Sequence, residues 1–192
     1  MSARLVIMGP QGSGKGTQAA RLSERLGVPA ISTGDIFRAN VRGGTELGTQ
    51  AKAIMDAGDL VPDSITNAMV RDRLGEVDAA EGFILDGYPR NAAQVEALDA
   101  VLAERGEALD AVVELGADRD ELLSRLAGRA AVEGRTDDTE EAISRRLAIY
   151  AEHTAPLTGA YAQRGLLVTV DGIGDIDEVT ERLMAALASR VG

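Results

Sequence analysis

The chain lacks cysteine and tryptophan and has a single histidine, His153. Without cysteine it can form neither disulfides nor Cys-based zinc sites, and one histidine is too few for a His-rich metal cluster. Any metal is therefore expected to be a hard cation held by oxygen ligands, and His153 is expected to be structural. No apolar run approaches the roughly 18 residues of a membrane-spanning helix, and the N-terminus has no basic segment followed by a long apolar one. These absences predict a cytoplasmic protein that binds no zinc and no membrane.

Positive charge is also scarce. The 192 residues carry 20 Lys and Arg against 31 Asp and Glu, a formal net charge of -11, which argues against broad binding to nucleic acid or to an anionic membrane. Only Lys15 and Lys52 are lysines, so most cations are guanidinium groups, which suit bidentate phosphate recognition. Six of them fall in one short segment: Arg119, Arg125, Arg129, Arg135, Arg145 and Arg146. Local anion sites therefore remain possible in this acidic chain.

Short apolar runs rich in β-branched residues recur along the sequence. They occupy residues 4–8, 29–32, 82–86, 111–115 and 166–171. Continuous runs of this kind are typical of strands buried on both faces, and the stretches between them have the apolar spacing of amphipathic helices. Alternating strands and helices predict an α/β fold with a five-stranded parallel sheet and right-handed crossovers.

Two intervals interrupt this alternation. Residues 33–74 show helical patterns and turn signals but no convincing strand, which predicts a small helical insertion. Residues 128–141 are polar, charged and flanked by glycine, which predicts a surface loop or a short lid.

The first strand is followed by the pattern Gly9-x-x-x-x-Gly14-Lys15-Gly16-Thr17 and then by a helical stretch. This is the context of a P-loop, in which glycines let successive backbone N–H groups converge on phosphate oxygens. The helix N-terminus adds partial positive charge, and Lys15 adds a full charge towards the β- and γ-phosphates. The general P-loop pattern has a hydroxyl residue directly after the lysine, whereas here the hydroxyl comes one position later, at Thr17. Direct ligation of magnesium by Thr17 is therefore left open.

The run "GFILDGYPR" ends a predicted strand with Asp86. A carboxylate at the carboxyl end of a central strand, close to a P-loop, is where Mg²⁺ would be held through water. An Asp-Gly pair after a strand is also a common turn. The P-loop nearby favours the magnesium site over a turn with no ligand.

Four motifs, "SGKGTQ", "ISTGDIFR", "DGYPRNAAQ" and "GRTDD", together resemble the adenylate kinase family of nucleoside monophosphate kinases along nearly the whole chain. The resemblance implies a three-layer α/β/α P-loop NTPase core, a helical insertion that binds the monophosphate, and a lid that closes over ATP. The core would comprise residues 1–31, 62–128 and 140–192, with the insertion at 32–61 and a short lid at 129–139. A long lid, which sometimes carries zinc, is absent.

On the ATP side, the resemblance assigns the P-loop to the phosphates of ATP. The P-loop positions are Gly12, Ser13, Gly14, Lys15, Gly16 and Thr17. Arg125 would lie against the adenine of ATP, Arg129 would meet its phosphates, and the backbone at Gly174 would meet the base. Magnesium would accompany ATP near Asp86.

On the AMP side, the resemblance assigns residues from three segments. The set is Thr33, Arg38, Asp59, Leu60, Val61, Gly87, Tyr88, Pro89, Arg90, Gln94, Arg135 and Arg146. Arg38 and Arg90 would bind phosphate, Gln94 would bind adenine, and Arg135 and Arg146 would reach the transferring phosphoryl group. Gln94 also follows Asn91 at the spacing of a helix-capping pair, and that interpretation stays open. For Arg119 and Arg145 we favour surface ion pairs.

The expected reaction is reversible phosphoryl transfer from ATP to AMP, giving two ADP. Lys15, Arg90, Arg129, Arg135 and Arg146 would be catalytic, since the reaction needs in-line positioning and positive charge rather than a general base. Closure of the lid and insertion would exclude water. The expected partners are these nucleotides alone, with no nucleic acid, and the expected state is a monomer.

Three alternatives remain at this point. A UMP/CMP kinase has a similar lid; Thr33 and Gln94 favour AMP, whereas Asn91 looks more like the pyrimidine kinases. A P-loop GTPase switch would need an Asn-Lys-x-Asp motif, which the sequence lacks. A nucleotide-binding protein without turnover would have little use for so many arginines around one phosphate site.

Overall fold

The computed structural model of the chain describes residues 3–133 and 139–191, without the side chains of residues 119, 127 and 129–133. The strands are β1 Ala3–Met8, β2 Ala30–Ser32, β3 Gly82–Asp86, β4 Ala111–Gly116 and β5 Leu167–Asp171. The helices are α1 Lys15–Leu26, α2 Thr33–Gly43, α3 Glu46–Asp56, α4 Asp63–Leu74, α5 Ala92–Glu104, α6 Arg119–Glu133, α7 Glu140–Ile149, α8 Pro156–Gln163 and α9 Ile176–Leu187. A 3₁₀ turn spans Val77–Ala79 and a π-helical turn spans Tyr150–Thr154.

All strands pair in parallel, in the order β2-β3-β1-β4-β5. The predicted α/β class and the five-stranded parallel sheet are therefore confirmed. Bounds differ from the prediction by one residue at several strand ends. Pro29 falls outside β2 because proline has no N–H to donate, although its carbonyl still accepts from the Ile84 N–H at 2.9 Å.

Helices cover both faces of the sheet. On one face, α1 and α9 bury Leu22 and Leu183 against a cluster that contains Ile7 and Val113. On the other, α4, α5 and α8 pack on a cluster that contains Phe83 and Leu85. Alternate residues of a strand point to opposite faces, so these strands need apolar residues at nearly every position, as the sequence provides. The result is the expected three-layer α/β/α arrangement.

The interval between β2 and β3 is helical, and no strand occurs in it among the described residues. Helices α2 and α3 share a small apolar cluster of Phe37, Ala51, Met55 and Val61, separate from the two clusters of the sheet. Each helix has a side-chain N-cap: the Ser32 hydroxyl accepts from the Asp35 N–H, and the Thr45 hydroxyl from the Gly48 N–H. The segment therefore has a core of its own, which is joined to the sheet where Ile36 of α2 packs against the cluster that contains Phe83.

Within residues 3–133 and 139–191, no helix is long and apolar enough to cross a membrane. The same residues contain no group of three or more His, Cys, Asp or Glu side chains that could hold a metal ion.

Three tyrosines, Tyr88, Tyr150 and Tyr161, have phenol groups whose pKa is raised by burial. The pKa of Tyr88 and of Tyr150 rises to about 12, and nearby carboxylates, Asp63 and Glu114 respectively, add to the effect. A folded-state pKa above the unfolded value of about 10 contributes stability that is complete below that pH and is lost as pH rises through the folded value.

We therefore expect the folded protein to show no tyrosinate absorbance near pH 10, and stability to fall at higher pH. An alkaline titration followed by tyrosinate absorbance and by far-ultraviolet circular dichroism checks this, because ionisation and loss of helix should then coincide. A reversible tyrosinate signal centred near pH 10 with the helices intact would contradict it.

Candidate active site

One cleft at the carboxyl ends of the strands gathers residues from four parts of the chain. The predicted site residues that line it are Lys15, Gly16, Thr33, Arg38, Asp59, Leu60, Val61, Asp86, Gly87, Tyr88, Pro89, Arg90, Gln94 and Arg146. Such a cleft at the carboxyl edge of a parallel sheet is the usual place for a ligand in α/β proteins. The structure thus brings Lys15 and Asp86 together with every described residue that the sequence assigned to AMP.

The loop between β1 and α1 is shaped by glycine. Gly12 and Gly14 have φ of 87° and 90°, in the left-handed region, and a Cβ on Gly12 would lie 2.9 Å from the Leu122 carbonyl oxygen. Helix α1 begins at Lys15 with no side-chain hydrogen bond at its N-cap Gly14. The Ser13 hydroxyl is buried and has no hydrogen-bond partner among the described residues. This combination of backbone shape and uncapped helix N-terminus suits an anion such as phosphate.

Asp86 ends β3 beside this loop and is only 8% exposed. Its Oδ1 is buried and has no hydrogen-bond partner within the described part of the chain. Its Oδ2 lies 3.5 Å from where a Cβ would stand at Gly16, an ordinary contact distance that places the carboxylate against the first turn of α1. A buried carboxylate oxygen with spare acceptor capacity fits a hydrated hard cation such as Mg²⁺.

Three arginines, Arg38, Arg90 and Arg146, line the cleft together. Burial lowers the pKa of Arg90, the charges of Arg146 and Arg38 lower it further, and the carboxylate of Asp86 acts in the opposite direction. Arginine stays protonated in proteins, so the direction of the shift indicates that burying this charge is unfavourable, with burial the largest cause and the two neighbouring arginines smaller ones. A bound phosphate would relieve it.

The backbone and Nε of Arg90 are held from three sides. Its Nε donates to the Gly87 carbonyl at 2.8 Å, its N–H donates to Gln94 Oε1 at 2.7 Å, and its carbonyl accepts from the Thr154 hydroxyl at 2.7 Å. Neither Nη atom has a hydrogen-bond partner among the described residues. The guanidinium is thus fixed in place with two donor groups left for a ligand.

The Gly87 carbonyl also accepts from the Thr33 hydroxyl at 3.0 Å, which ties the start of α2 to the turn after β3. That turn contains the cis Tyr88-Pro89 peptide bond. Arg38 forms an ion pair with Asp35 one turn earlier in α2. These contacts place the first residues of the insertion at the rim of the arginine cluster.

Helix α7 meets the insertion at the other side of the cleft. Arg146 Nη2 donates to the Met55 carbonyl at 3.0 Å, and Arg145 forms an exposed ion pair with Asp59. The surface ion pair expected for Arg145 is present, although its partner lies in the insertion rather than nearby in sequence. Gly58 packs so closely that a Cβ there would stand 2.6 Å from the Ala142 carbonyl oxygen.

Gln94 is 2% exposed, and its position satisfies the capping pattern only in part. The Asn91 side chain accepts from the Gln94 N–H at 2.9 Å, so Asn91 caps α5 as its spacing suggested. The Gln94 side chain does not return to the Asn91 N–H. It bonds Arg90 N–H through Oε1 and Asp63 Oδ1 through Nε2, at 2.7 and 2.8 Å.

The residues predicted for the ATP base lie beyond this cleft. Arg125 joins the P-loop to the loop after β5: its Nη1 donates to the Ser13 carbonyl at 3.3 Å and its Nη2 to the Gly172 carbonyl at 3.1 Å. Gly174, with φ of 123°, belongs to that same loop. Thr17 is exposed on the first turn of α1. The side chains of Arg119 and Arg129 and the whole of Arg135 lie outside the described residues.

Among the residues that sequence reasoning missed, Asp63 and Thr154 hold predicted site residues in place through hydrogen bonds. Asp63 holds the Gln94 amide, and Thr154 holds the Arg90 carbonyl. Asp63 stood in "AGDLVPD", which indicates only a turn, and Thr154 follows His153 with no motif of its own. Their partners lie 31 and 64 residues away in sequence, so no local pattern marks the contacts.

Comparison with known proteins agrees with this geometry. The family model described as "Adenylate kinase" matches residues 7–166, which include the P-loop, the insertion and the turn after β3. An adenylate kinase of Kocuria rhizophila is 64% identical over 184 residues, 96% of this chain and 98% of that protein. An adenylate kinase of Thermobifida fusca is 60% identical over 187 residues, 97% and 99% of the two chains. With a P-loop, a helical insertion and an arginine cluster in one cleft, and with identity of this extent, the chain belongs to the adenylate kinase family.

Proposed function

We propose that the cleft holds AMP with its phosphate among Arg38, Arg90 and Arg146, opposite the P-loop that holds ATP. As a member of its family, the chain is a phosphotransferase that catalyses the reversible reaction of ATP and AMP to two ADP. The observation that carries the assignment of residues is the convergence of these three arginines in one cleft with Lys15. A buried guanidinium needs a partner, and burial is the main cause of the lowered pKa of Arg90.

The AMP base would lie between the insertion and α5. Thr33, the segment Asp59–Val61, and the turn from Gly87 to Arg90 border this part of the cleft, and Gln94 forms one wall. Gln94 would contact adenine through the one donor and one acceptor site that its present hydrogen bonds leave over.

The ATP phosphates would lie on the N–H groups of residues 12–17, with Lys15 at the β- and γ-phosphates. Arg125 and Gly174 would border the ATP base, and Arg129 and Arg135 would approach the phosphates from the lid. Asp86 would hold Mg²⁺ through water; when bound, the ion would neutralise charge on the phosphate oxygens. The proposed site uses Mg²⁺ and no zinc.

The transfer asks the protein for positioning and charge rather than for proton transfer. Arg90 and Arg146 would hold the acceptor oxygen in line with the terminal phosphoryl group, and Lys15 would stabilise the charge that develops on it. We propose the core as 1–31, 62–128 and 140–192, the insertion as 32–61 and the lid as 129–139. Closure of the last two would exclude water, so that ATP is not hydrolysed while AMP is absent.

We also propose that the protein works as a monomer in the cytoplasm. In support of a monomer, one chain by itself brings Lys15 and the three arginines together in the described part of the cleft.

Changing Asp86 to Asn should weaken the binding of magnesium while ATP and AMP still bind. Because the amide keeps the shape but loses the charge, we expect the Mg²⁺ concentration for half-maximal rate to rise about tenfold. Initial rates over a magnesium series at fixed ATP and AMP measure this. An unchanged magnesium curve would remove Asp86 from the metal site.

A coupled assay of ADP formation with Mg·ATP and a panel of AMP, dAMP, GMP, CMP and UMP tests the function directly. We expect AMP to be the best acceptor. Fast turnover with CMP or UMP but not AMP would overturn the acceptor assignment, and no turnover with any acceptor would overturn the enzyme assignment.

A further inference from the structure

The orientation of the Gln94 carboxamide is determined by its neighbours. Oε1 faces the Arg90 N–H, which can only donate, and Nε2 faces the Asp63 carboxylate, which can only accept. Rotating the amide by half a turn would set donor against donor at Arg90 and acceptor against acceptor at Asp63. In this buried place both mismatches are unfavourable. Asp63 therefore supplies one of the two constraints on the direction in which Gln94 points.

Asp63 is itself held in position. Asn91 Nδ2 donates to both oxygens of Asp63, at 3.1 and 3.3 Å, while Asn91 Oδ1 caps α5 by accepting from the Gln94 N–H. The carboxylate stands in the first turn of α4, where the helix dipole favours a negative charge. Asp63, Asn91 and Gln94 thus form a closed set of hydrogen bonds that joins α4 to α5.

The orientation of the Gln94 amide determines which base it can recognise by hydrogen bonds. A carboxamide oxygen carries two acceptor sites and its nitrogen two hydrogens, so one of each remains after the bonds to Arg90 and Asp63. Adenine presents an amino donor beside a ring-nitrogen acceptor. Hypoxanthine and guanine present an oxygen beside a ring N–H, the reverse order at the same two positions. An amide held in one orientation can match only one of these orders.

We infer that Asp63 is a positioning residue that holds Gln94 in the orientation for 6-aminopurine monophosphates and against 6-oxopurine monophosphates. The inference rests on the proposed function at one point, the contact between Gln94 and the acceptor base. It adds a residue that touches neither nucleotide but determines which of them Gln94 accepts.

The test is Asp63→Asn, measured with AMP and with inosine monophosphate, which differ at position 6 and in the hydrogen on N1. An asparagine at 63 can turn its own amide to meet a reversed Gln94 while its oxygen, at the position of Asp63 Oδ2, still accepts from Asn91 Nδ2, so the main mismatch that remains is at Arg90. We expect the ratio of kcat/KM for AMP to kcat/KM for inosine monophosphate to fall about tenfold, with kcat for AMP within about threefold of the parent.

The ratio of the two kcat/KM values, measured on the same sample, does not depend on the fraction of folded enzyme. Loss of stability therefore cannot imitate the effect. Asp177→Asn is the matched control, since Asp177 is also a first-turn aspartate, on α9, where it pairs with Arg21 and is exposed. Its ratio should equal that of the parent. A ratio for Asp63→Asn within about twofold of the parent would overturn the role of Asp63.

Gln94→Ala separates this failure from a failure of the proposed function. Gln94 also holds the Arg90 N–H, so the readout is again the ratio of kcat/KM for AMP to kcat/KM for inosine monophosphate. If Gln94 contacts the base, Gln94→Ala lowers this ratio; should the ratio stay at the parent value, the base contact itself is wrong, and the inference about Asp63 falls with it. If Gln94→Ala lowers the ratio while Asp63→Asn leaves it unchanged, the base contact stands and only the inference about Asp63 is overturned.

Discussion

Changing Arg90 to Met is expected to lower kcat about 10³-fold, the low end of what an arginine at a transferring phosphoryl group contributes. Methionine replaces the apolar stem of the side chain and removes only the charge and the donors. The binding of ATP, which the P-loop carries, should change little. Steady-state kinetics with both substrates varied would show the loss in kcat.

The physical reason for so large an effect is pre-organisation. Arg90 is anchored through its N–H, its carbonyl and its Nε, so its two Nη groups point at a ligand without further loss of side-chain freedom. Its positive charge is buried, with Arg38 and Arg146 nearby, and a bound phosphate would offset the unfavourable free energy of that burial. The stabilisation is greatest where negative charge develops, in the transition state.

Two companion variants separate this role from a structural one. Arg71→Met removes an exposed arginine that pairs with Glu104 across α4 and α5, and should leave kcat within about twofold of the parent. In Thr154→Val the side chain keeps its shape but loses the hydroxyl that donates to the Arg90 carbonyl. We expect kcat to fall by an intermediate amount, about tenfold. An Arg90→Met enzyme with the parent's kcat would show that Arg90 does not act on the transferring phosphoryl group.

Sequence alone predicted much of this molecule because its strands are buried on both faces. Such strands need continuous apolar runs, so all five could be found to within a residue or two, and the helical interval between β2 and β3 stood out by contrast. Motifs that build one loop, such as the P-loop, could also be recognised locally. The positions of Arg38, Arg90 and Arg146 in one cleft followed from the family resemblance rather than from any spacing.

Contacts between distant segments could not be predicted. Thr154 and Asp63 act through hydrogen bonds to residues far away in sequence, and no local pattern indicates either contact. The same holds for Gly48, in the middle of "ELGTQ", where nothing in the sequence reveals how closely another helix approaches. Packing of this kind is visible only in three dimensions, although it controls the geometry of the site.

Changing Gly48 to Ala should therefore raise KM for AMP about 100-fold while leaving ATP binding nearly unchanged. A Cβ at position 48 would stand 2.1 Å from the Asn40 carbonyl oxygen and 2.5 Å from the Val41 nitrogen, both backbone atoms that cannot rotate away. Helices α2 and α3 would have to separate by about 1 Å to restore normal contact. Thr45, whose hydroxyl joins the two helices at this corner through Asn40, would be displaced as well.

The separation would spread through the insertion because its apolar cluster is small. Phe37 and Met55, on the two helices, share that cluster with Val61, which lies in the segment proposed to meet the AMP base. Arg38 follows Phe37, so the phosphate contact would move with it. A displacement of about 1 Å is enough to cost 10²-fold in a positioned reaction. The clusters of the sheet contain no fully buried residue of α2 or α3, and α2 reaches one of them through the partly buried Ile36, so the P-loop should be affected much less than the AMP side.

Gly43→Ala is the matched control for this prediction. Gly43 ends α2 near the same corner, but a Cβ there meets only the Thr45 methyl group at 3.8 Å, an ordinary contact. In a helical residue, alanine should be neutral or slightly stabilising. Titration with a non-hydrolysable ATP analogue measures the P-loop separately, and its Kd should stay within about threefold of the parent in both variants. A Gly48→Ala enzyme with the parent's KM for AMP would show that the spacing of α2 and α3 does not control the acceptor site, whereas a matching loss of ATP affinity would show that insertion and core do not behave as separate units.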